Sequence, residues 1–403
     1  MQASASVSPA PVASDSAVTS VVVSASRRLP LALLRPLALP VLFIIFGIIM
    51  GSWAGRIPAL RDGVQLSHTA LSFVLLCGGL GAVISYPLSA RLMSTLGGRK
   101  TLLLAGVALL IDLVGIGLAP SVPLLMLAVL MLGVTASCFD VAINAVATRF
   151  EKTSGRSQLS RLHGWGCGGG LLGATLGSVM AGMQVAPAAH FMMIAPVLLL
   201  VLWLGFELLE PDADTVQQIE KKKFALPRGP LALLGALGFL AAMSEGSVAD
   251  WGGVFLKDHF NASDALAPLA LAAFSITMLA VRLCGDRLKE KFGAHRLICA
   301  GASVSAAGLL FAVFAPNAYL ALAGFAAAGF GIAVVFPFVF SAAGRQGPVA
   351  LAGVATMAYS GSLVGPPVIG AIAHGLGMQA AIGFIGLLSV AIVVVANRTA
   401  LLK

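Results

Sequence analysis

The chain has 403 residues, of which 59% are hydrophobic and only 10% charged, against about 25% charged in an ordinary soluble domain. That leaves too few polar groups to cover a soluble fold. The formal charge of +9 therefore reads as loop lysine and arginine of a membrane protein, not as a nucleic-acid surface. The five cysteines, Cys77, Cys138, Cys167, Cys284 and Cys299, have no metal or redox spacing.

Residues 1–30 are rich in Ser, Ala, Val and Pro, and Arg27 and Arg28 follow the Val-rich run where a signal peptide would have them precede it. A disordered cytoplasmic tail is expected there. From Leu31 onward apolar stretches of roughly 17–25 residues recur, each long enough to cross a hydrocarbon core as a helix. Open strands are excluded in lipid, because their backbone groups would lack partners. Barrel strands would need alternating segments of about ten residues, and these runs are continuous. Six spans centre near Phe46, Leu80, Leu110, Val134, Ala174 and Leu199, and form a first bundle over 31–209. A further six centre near Leu240, Ala273, Ala306, Gly329, Ser362 and Leu387, and form a second over 230–403. Between them, 210–229 holds Asp212, Asp214, Glu220 and Lys221–Lys223 and reads as a solvated cytoplasmic linker.

With the N-terminus placed inside, all but Arg56, Arg61 and Lys257 of the 25 basic residues fall in inner segments. Arg282 is counted there with Arg287, Lys289, Lys291 and Arg296. Both termini are then cytoplasmic, in an inner (plasma) membrane. The halves also repeat each other at an offset of 196 to 198. Trp53 falls on Trp251, Gly97 on Gly293, Gly133 on Gly329 and Arg149 on Arg345. A parallel repeat predicts two six-helix bundles related by an axis along the membrane normal, with a binding site between them.

Twelve spans as two sixes, a charged linker and basic loops after the second span of each half resemble the major facilitator superfamily, over about Leu31 to Leu402. The loop Ala90–Lys100 departs from that superfamily's signature, with Ser94 where an Asp is usual; the second copy, Asp286–Arg296, keeps Glu290. The resemblance implies gating roles for Gly97, Arg99, Lys100, Asp286, Arg287, Glu290 and Gly293. Phe139-Asp140-Val141-Ala142-Ile143-Asn144 is similar to the acidic-x-x-x-Asn step of the fucose-permease-like branch, proton-coupled sugar symporters and their relatives.

An ionisable group inside a span costs roughly 2.5–3.5 kcal/mol on insertion scales and calls for a reason. Asp140 and Asn144 lie one helical turn apart and share a face, where they can bind hydroxyls or hold a proton. The alternative is a structural ion pair of Asp140 with Arg149 or Arg161. Glu245 and Asp250 bracket Gly246 in the seventh span, Glu245 deeper and Asp250 nearer the outer interface. His163 either relays protons to Asp140 or caps a helix at the interface. Trp53 and Trp251 either stack a substrate ring or join an aromatic belt. Asp112 has no polar companion nearby in sequence, and the resemblance makes its span peripheral. Gly169, Gly173 and Gly177 form a ridge for close helix packing, and Pro366 and Pro367 predict a bend in the eleventh span.

No Walker loop, zinc-protease or serine-hydrolase motif is present. The expected protein is not an enzyme and takes no cofactor or metal. It is a monomer among membrane lipids that moves a small-molecule solute, with protons, by alternating access. Two rivals stand beside that symporter: an exporter of amphipathic compounds or metabolites on the same fold, and a membrane receptor or scaffold that binds without transporting. The small number of Tyr and Trp residues argues against a sugar site built by stacking.

Overall fold

A computed structural model describes residues 34–154, 159–211 and 227–402. The expected tail and most of the linker lie outside these, as does the side chain of Asp286. The described residues form twelve helical spans and short 3-10 turns. In the first bundle these are α1 (Ala38–Gly63), α2 (His68–Leu96), α3 (Gly98–Leu118), α4 (Val122–Ser154), α5 (Leu159–Gly182) and α6 (Pro187–Leu208). In the second they are α7 (Pro230–Phe260), α8 (Leu269–Phe292), α9 (Ala294–Val313), α10a (Ala318–Ile332) with α10b (Val335–Arg345), α11 (Pro348–Leu376) and α12 (Met378–Arg398). Ser67 and Asn317 cap α2 and α10a through their side chains. Proline opens α6, α7 and α11, at a position where its missing N–H costs nothing. Gly97 and Gly293 take the same left-handed turn, φ +80° and +79°, each ending one helix and starting the next. Only glycine enters that region without strain, so the two loop glycines are turn-makers first. The helix of α11 continues through Pro366 and Pro367.

Because the spans alternate in direction, both ends of the described chain lie on one side, here called the terminal face; the other is the distal face. Within the first bundle α1 packs on α5 and α6, α2 on α4, and α3 on α4 and α6. The second repeats this: α7 on α11 and α12, α8 on α10a, and α9 on α10a and α12. The bundles meet through α5 with α8, and through α2 with α11, which are the same pairing under the repeat. The register is visible at single residues. A Cβ on Gly133 would meet the Gly78 carbonyl at 1.9 Å, and one on Gly329 the Phe274 carbonyl at 2.0 Å; both partners shift by 196. The predicted ridge packs where it should: Gly169 and Gly173 lie against the backbone of Ile44 and Ile48 in α1, while Gly177 makes room for the side chain of Arg56.

Ten spans are long and apolar enough to cross a membrane by composition alone. The two that are not are α5, rich in glycine, and α8, whose apolar run is short. These two pack on each other between the bundles, where lipid does not set the composition. The outer surface, by contrast, shows Val197, Leu200, Trp203 and Leu387 at more than half exposure, a surface suited to acyl chains and not to water.

Two loop assignments are corrected. Arg282 does not lie in a loop after α8 but inside it, ten residues before its end, because an apolar run of thirteen residues falls short of a bilayer and the helix carries the arginine in with it. Arg56 likewise lies inside α1, 2% exposed. It donates from Nη1 to the Gly177 carbonyl at 3.2 Å and from Nη2 to that of Val185. There a cation meets the carbonyl end of α5, where the helix dipole favours it.

Candidate functional site

In the first bundle, Asn144 folds back one turn of α4 and donates from Nδ2 to Asp140, at 3.0 Å to Oδ1 and 2.8 Å to the main-chain oxygen. Its own Oδ1 lies 3.1 Å from Nε2 of His163 on α5. An amide oxygen only accepts, so the imidazole carries its proton on Nε2 and donates. Asp140, Asn144 and His163 thus form one ordered chain. Among the described residues, the side-chain donor seen on Asp140 is this amide. Phe43 meets the His163 ring edge-on, centroids 5.2 Å apart, and sets its plane. An amide does not pass protons as a water or hydroxyl does, so Asn144 orients the two titratable groups and does not conduct between them.

In the second bundle, Arg282 gathers three partners. Nη2 reaches both oxygens of Glu245 on α7, at 3.2 and 3.3 Å. Nη1 lies 2.7 Å from Sγ of Cys167 on α5, and Nε reaches the Ala333 carbonyl at 3.3 Å. Cys167 belongs to the first bundle, so this arginine crosses between them. Arg282 is also within electrostatic range of His163, which brings the two groups together as one polar band.

Aromatic groups complete the band. Tyr359 on α11 lies within electrostatic range of Asp140, Glu245 and Tyr86 on α2. It packs with Phe336 and Phe340 of α10b, ring centroids 6.4 and 6.1 Å away. The small number of Tyr and Trp residues in the sequence is therefore misleading, since two of the three tyrosines face this centre and phenylalanines stand beside them. At 1.5 Å per residue, Arg282, Glu245, Cys167, Tyr359, Asp140, Tyr86 and His163 all lie about 20–28 Å in from the distal helix ends. They share one level.

Other candidates lie elsewhere. Asp250 sits about 15 Å in by the same count, on α7 between that level and the distal face. Trp53 and Trp251 are 5% and 0% exposed, so neither joins a lipid-facing belt; Trp251 is covered by the ring of His68 at 6.4 Å, and its Nε1 has no protein acceptor among the described residues. Asp112 has the companion the sequence did not reveal, accepting from Oγ1 of Thr135 on α4 at 2.8 Å. Of the loop residues, Arg99 donates from Nε to the Phe206 carbonyl at 3.0 Å and stacks on that ring at 4.1 Å, tying α3 to α6 within one bundle. Lys100, Arg287 and Glu290 are exposed. The interhelical contact of the second loop comes instead from Lys289, which donates to Ser341 at 3.0 Å.

The distal face holds the group the sequence reading missed altogether. Arg61, at the end of α1, grips Asp258, at the end of α7, with two parallel bonds of 2.6 Å. His68 of α2 adds a contact of 2.7 Å to the same carboxylate. Lys257 bridges Asp62 of the first bundle and Asp264 of the second. Both bundles are thereby tied at this end. The signal was available. Arg61 and Asp258 are 197 residues apart, the repeat offset itself, and an axis between α1 and α7 brings repeat-equivalent positions face to face.

Residues 37–246 and 234–400 match the profile of the Major Facilitator Superfamily. The chain is similar to an uncharacterized MFS-type transporter of Yersinia pestis, 33% identical over 86% of this chain and 91% of the relative. It is also similar to the membrane protein MosC of Rhizobium meliloti, 30% identical over 85% of this chain and 84% of MosC. The crystal structure of the nucleoside transporter NupG superposes with a TM-score of 0.70 at 16% identity, over 91% of this chain and 98% of NupG. A variant of the E. coli fucose:proton symporter FucP superposes with 0.63 at 14%, over 90% and 98%. At such identities the likeness to the solved structures is one of fold. With its paired six-helix bundles and its full-length relatives, this chain belongs to the major facilitator superfamily: it is a multi-pass membrane transporter and not an enzyme.

Proposed function

We infer that the protein is a proton-coupled symporter of a small solute, working by alternating access in the plasma membrane with its terminal face in the cytoplasm. The observation that carries this reading is the polar band itself. Asp140, Asn144 and His163 in one bundle approach Glu245 and Arg282 in the other, at one level of a structure whose remaining interior is largely apolar. Intramembrane carboxylates are retained for ion or substrate handling far more often than for packing. Asp140 holds the coupled proton, and Asn144 and Glu245 stand where a solute reaches both bundles. The tied distal face corresponds to a state closed on the outside, from which solute exchanges with the cytoplasm. NupG and FucP, whose fold it shares, carry names that state nucleoside transport and fucose:proton symport.

The test uses ligand-dependent thermal stabilisation of the purified protein against sugars, sugar acids and amphipathic drugs, at an acidic and an alkaline pH, on wild type and Asp140→Asn. Any stabilising compound is then followed as uptake into vesicles under a proton gradient. The expected result is a pH-dependent hit whose gradient-driven accumulation is abolished in Asp140→Asn while exchange persists. Accumulation that survives the substitution removes Asp140 from the coupling site.

A further inference from the structure

We propose that the transported solute is a small organic anion, and that its carboxylate takes the edge of Arg282 now occupied by Glu245 and Cys167. This rests on the transport reading above and names its substrate class. A guanidinium binds a carboxylate best through two parallel N–H···O bonds of about 2.7–2.9 Å. Arg282 has no such partner. A single nitrogen, Nη2, is shared between both Glu245 oxygens at 3.2 and 3.3 Å, and the adjacent Nη1 faces only the sulfur of Cys167. A thiol is a weak acceptor. The Nη1–Nη2 edge is therefore filled on both sides by replaceable partners. Elsewhere the same chain achieves the full fork, at Arg61 and Asp258, with both bonds at 2.6 Å, so the loose geometry at the centre is particular to that site.

Access and surroundings agree. Glu245 is 31% exposed and Arg282 12%, whereas the buried Arg56 is spent on two carbonyls. The aromatic group of Tyr359, Phe336 and Phe340 stands near the same level and offers apolar faces to the body of the solute. A cationic solute fits less well. It would draw Glu245 away and leave the guanidinium uncompensated in a low-dielectric interior.

The geometry also gives the coupling its chemistry. Two carboxylates beside one guanidinium leave a net negative charge in that interior. One proton taken up with the anion, held on Asp140 in the transport reading, keeps the net charge of that interior unchanged, so solute plus proton enter as a neutral pair. Because Arg282, Glu245 and Cys167 come from α8, α7 and α5, the exchange is felt in both bundles.

Cys167 is a built-in reporter of that edge. The experiment uses full-length protein in membranes with Cys167 as its sole cysteine, and measures alkylation by N-ethylmaleimide at acidic and alkaline pH. The probes are two matched sets: benzoate, benzyl alcohol and benzylamine; glucuronate, glucose and glucosamine. The expected result is several-fold slowing by at least one acid, stronger at acidic pH, and none by its neutral or amine counterparts. Protection should vanish in Arg282→Gln, weaken in Arg282→Lys, which keeps charge without the fork, and lose its pH dependence in Asp140→Asn. Protection by an alcohol or amine, no protection by either acid, or protection surviving Arg282→Gln overturns the proposal; the wild-type panel decides this even if a variant fails to fold. Protection by a neutral compound that keeps its pH dependence would refute the anion alone. An unaltered Asp140→Asn in the preceding assay would refute the proton site alone.

Discussion

Two arginine–carboxylate contacts join helices of this transporter, and they are built to opposite ends. At the distal face, Arg61 and Asp258 make a full fork, reinforced by His68 and by the bridge of Lys257 to Asp62 and Asp264. At the centre, Arg282 and Glu245 make one shared contact at more than 3 Å. Exposure does not separate them: Arg61 and Asp258 are 12% and 22% exposed, Arg282 and Glu245 12% and 31%. What differs is geometry and the number of partners, so the central pair gives up comparable hydration and receives less in return. A tight, reinforced contact at the helix ends suits a latch that one state of the protein makes and another breaks. A loose contact deep along the helices suits a place-holder that a ligand replaces.

The sharpest way to break the comparison is to remove each arginine. Arg282→Gln leaves Glu245 unpaired at the centre; breaking such a pair costs about 3–5 kcal/mol when fully buried, and the partial exposure of Glu245 puts the loss toward the lower end. A lowered melting temperature and loss of solute binding by two orders of magnitude or more are expected in thermal-shift titrations. Arg61→Gln should leave binding intact. Loss of binding in both would mean that the two contacts do one job.

Next in size is the latch. Asp258→Asn weakens the fork and the His68 contact, and charge-assisted bonds are worth about 1.5–3 kcal/mol. The distal-closed state should lose roughly one to two orders of magnitude in population. A cysteine placed at Ser72, which is 5% exposed and faces Gly370 of α11 across the two bundles, would report it through faster labelling by an impermeant maleimide added at the distal side. The exchange of Arg61→Asp with Asp258→Arg should restore slow labelling. A smaller effect separates the regions without mutation. Salt weakens exposed charge interactions beyond about 10 Å at 0.1 M and about 3 Å at 1 M, and the central pair lies about 20 Å in from the distal helix ends. Raising the salt concentration should speed labelling at Ser72→Cys several-fold while leaving Cys167 alkylation unchanged. Equal sensitivity of both would show that salt reaches the centre as readily as the rim.

What the sequence disclosed follows the range of the interactions involved. Spans, repeat and the Asp140–Asn144 face depend on neighbours within a few turns, or on one fixed offset, and all were legible. Arg282 was misplaced because a positive charge ending an apolar run looks like a loop. The length of Leu269–Val281, thirteen residues, held the correction, since no helix that short crosses a bilayer. Tyr86 and Tyr359 come from different bundles, and nothing local to either marks the meeting. The distal latch is the instructive miss. A repeat about an axis sets each position near that axis against its own counterpart, as in an isologous dimer. Like charges there would repel, so Arg61 facing Asp258, 197 residues on, is the pairing such an axis requires.

The smallest effect separates orienting from relaying at His163. Its Nε2 donates to Asn144, which donates in turn to Asp140. If the imidazole only holds the amide in place, glutamine substitutes well, because its amide also donates to an acceptor oxygen. His163→Gln should then keep the pH dependence of solute binding. His163→Ala should lose a neutral hydrogen bond of about 0.5–1.5 kcal/mol, a fall in affinity of roughly two- to tenfold. If the ring carries the coupled proton instead, both substitutions abolish gradient-driven accumulation, since glutamine does not titrate. Binding and accumulation measured on the two variants therefore divide the roles. The chain of bonds predicts the first result, because the amide between His163 and Asp140 transmits orientation and interrupts proton transfer.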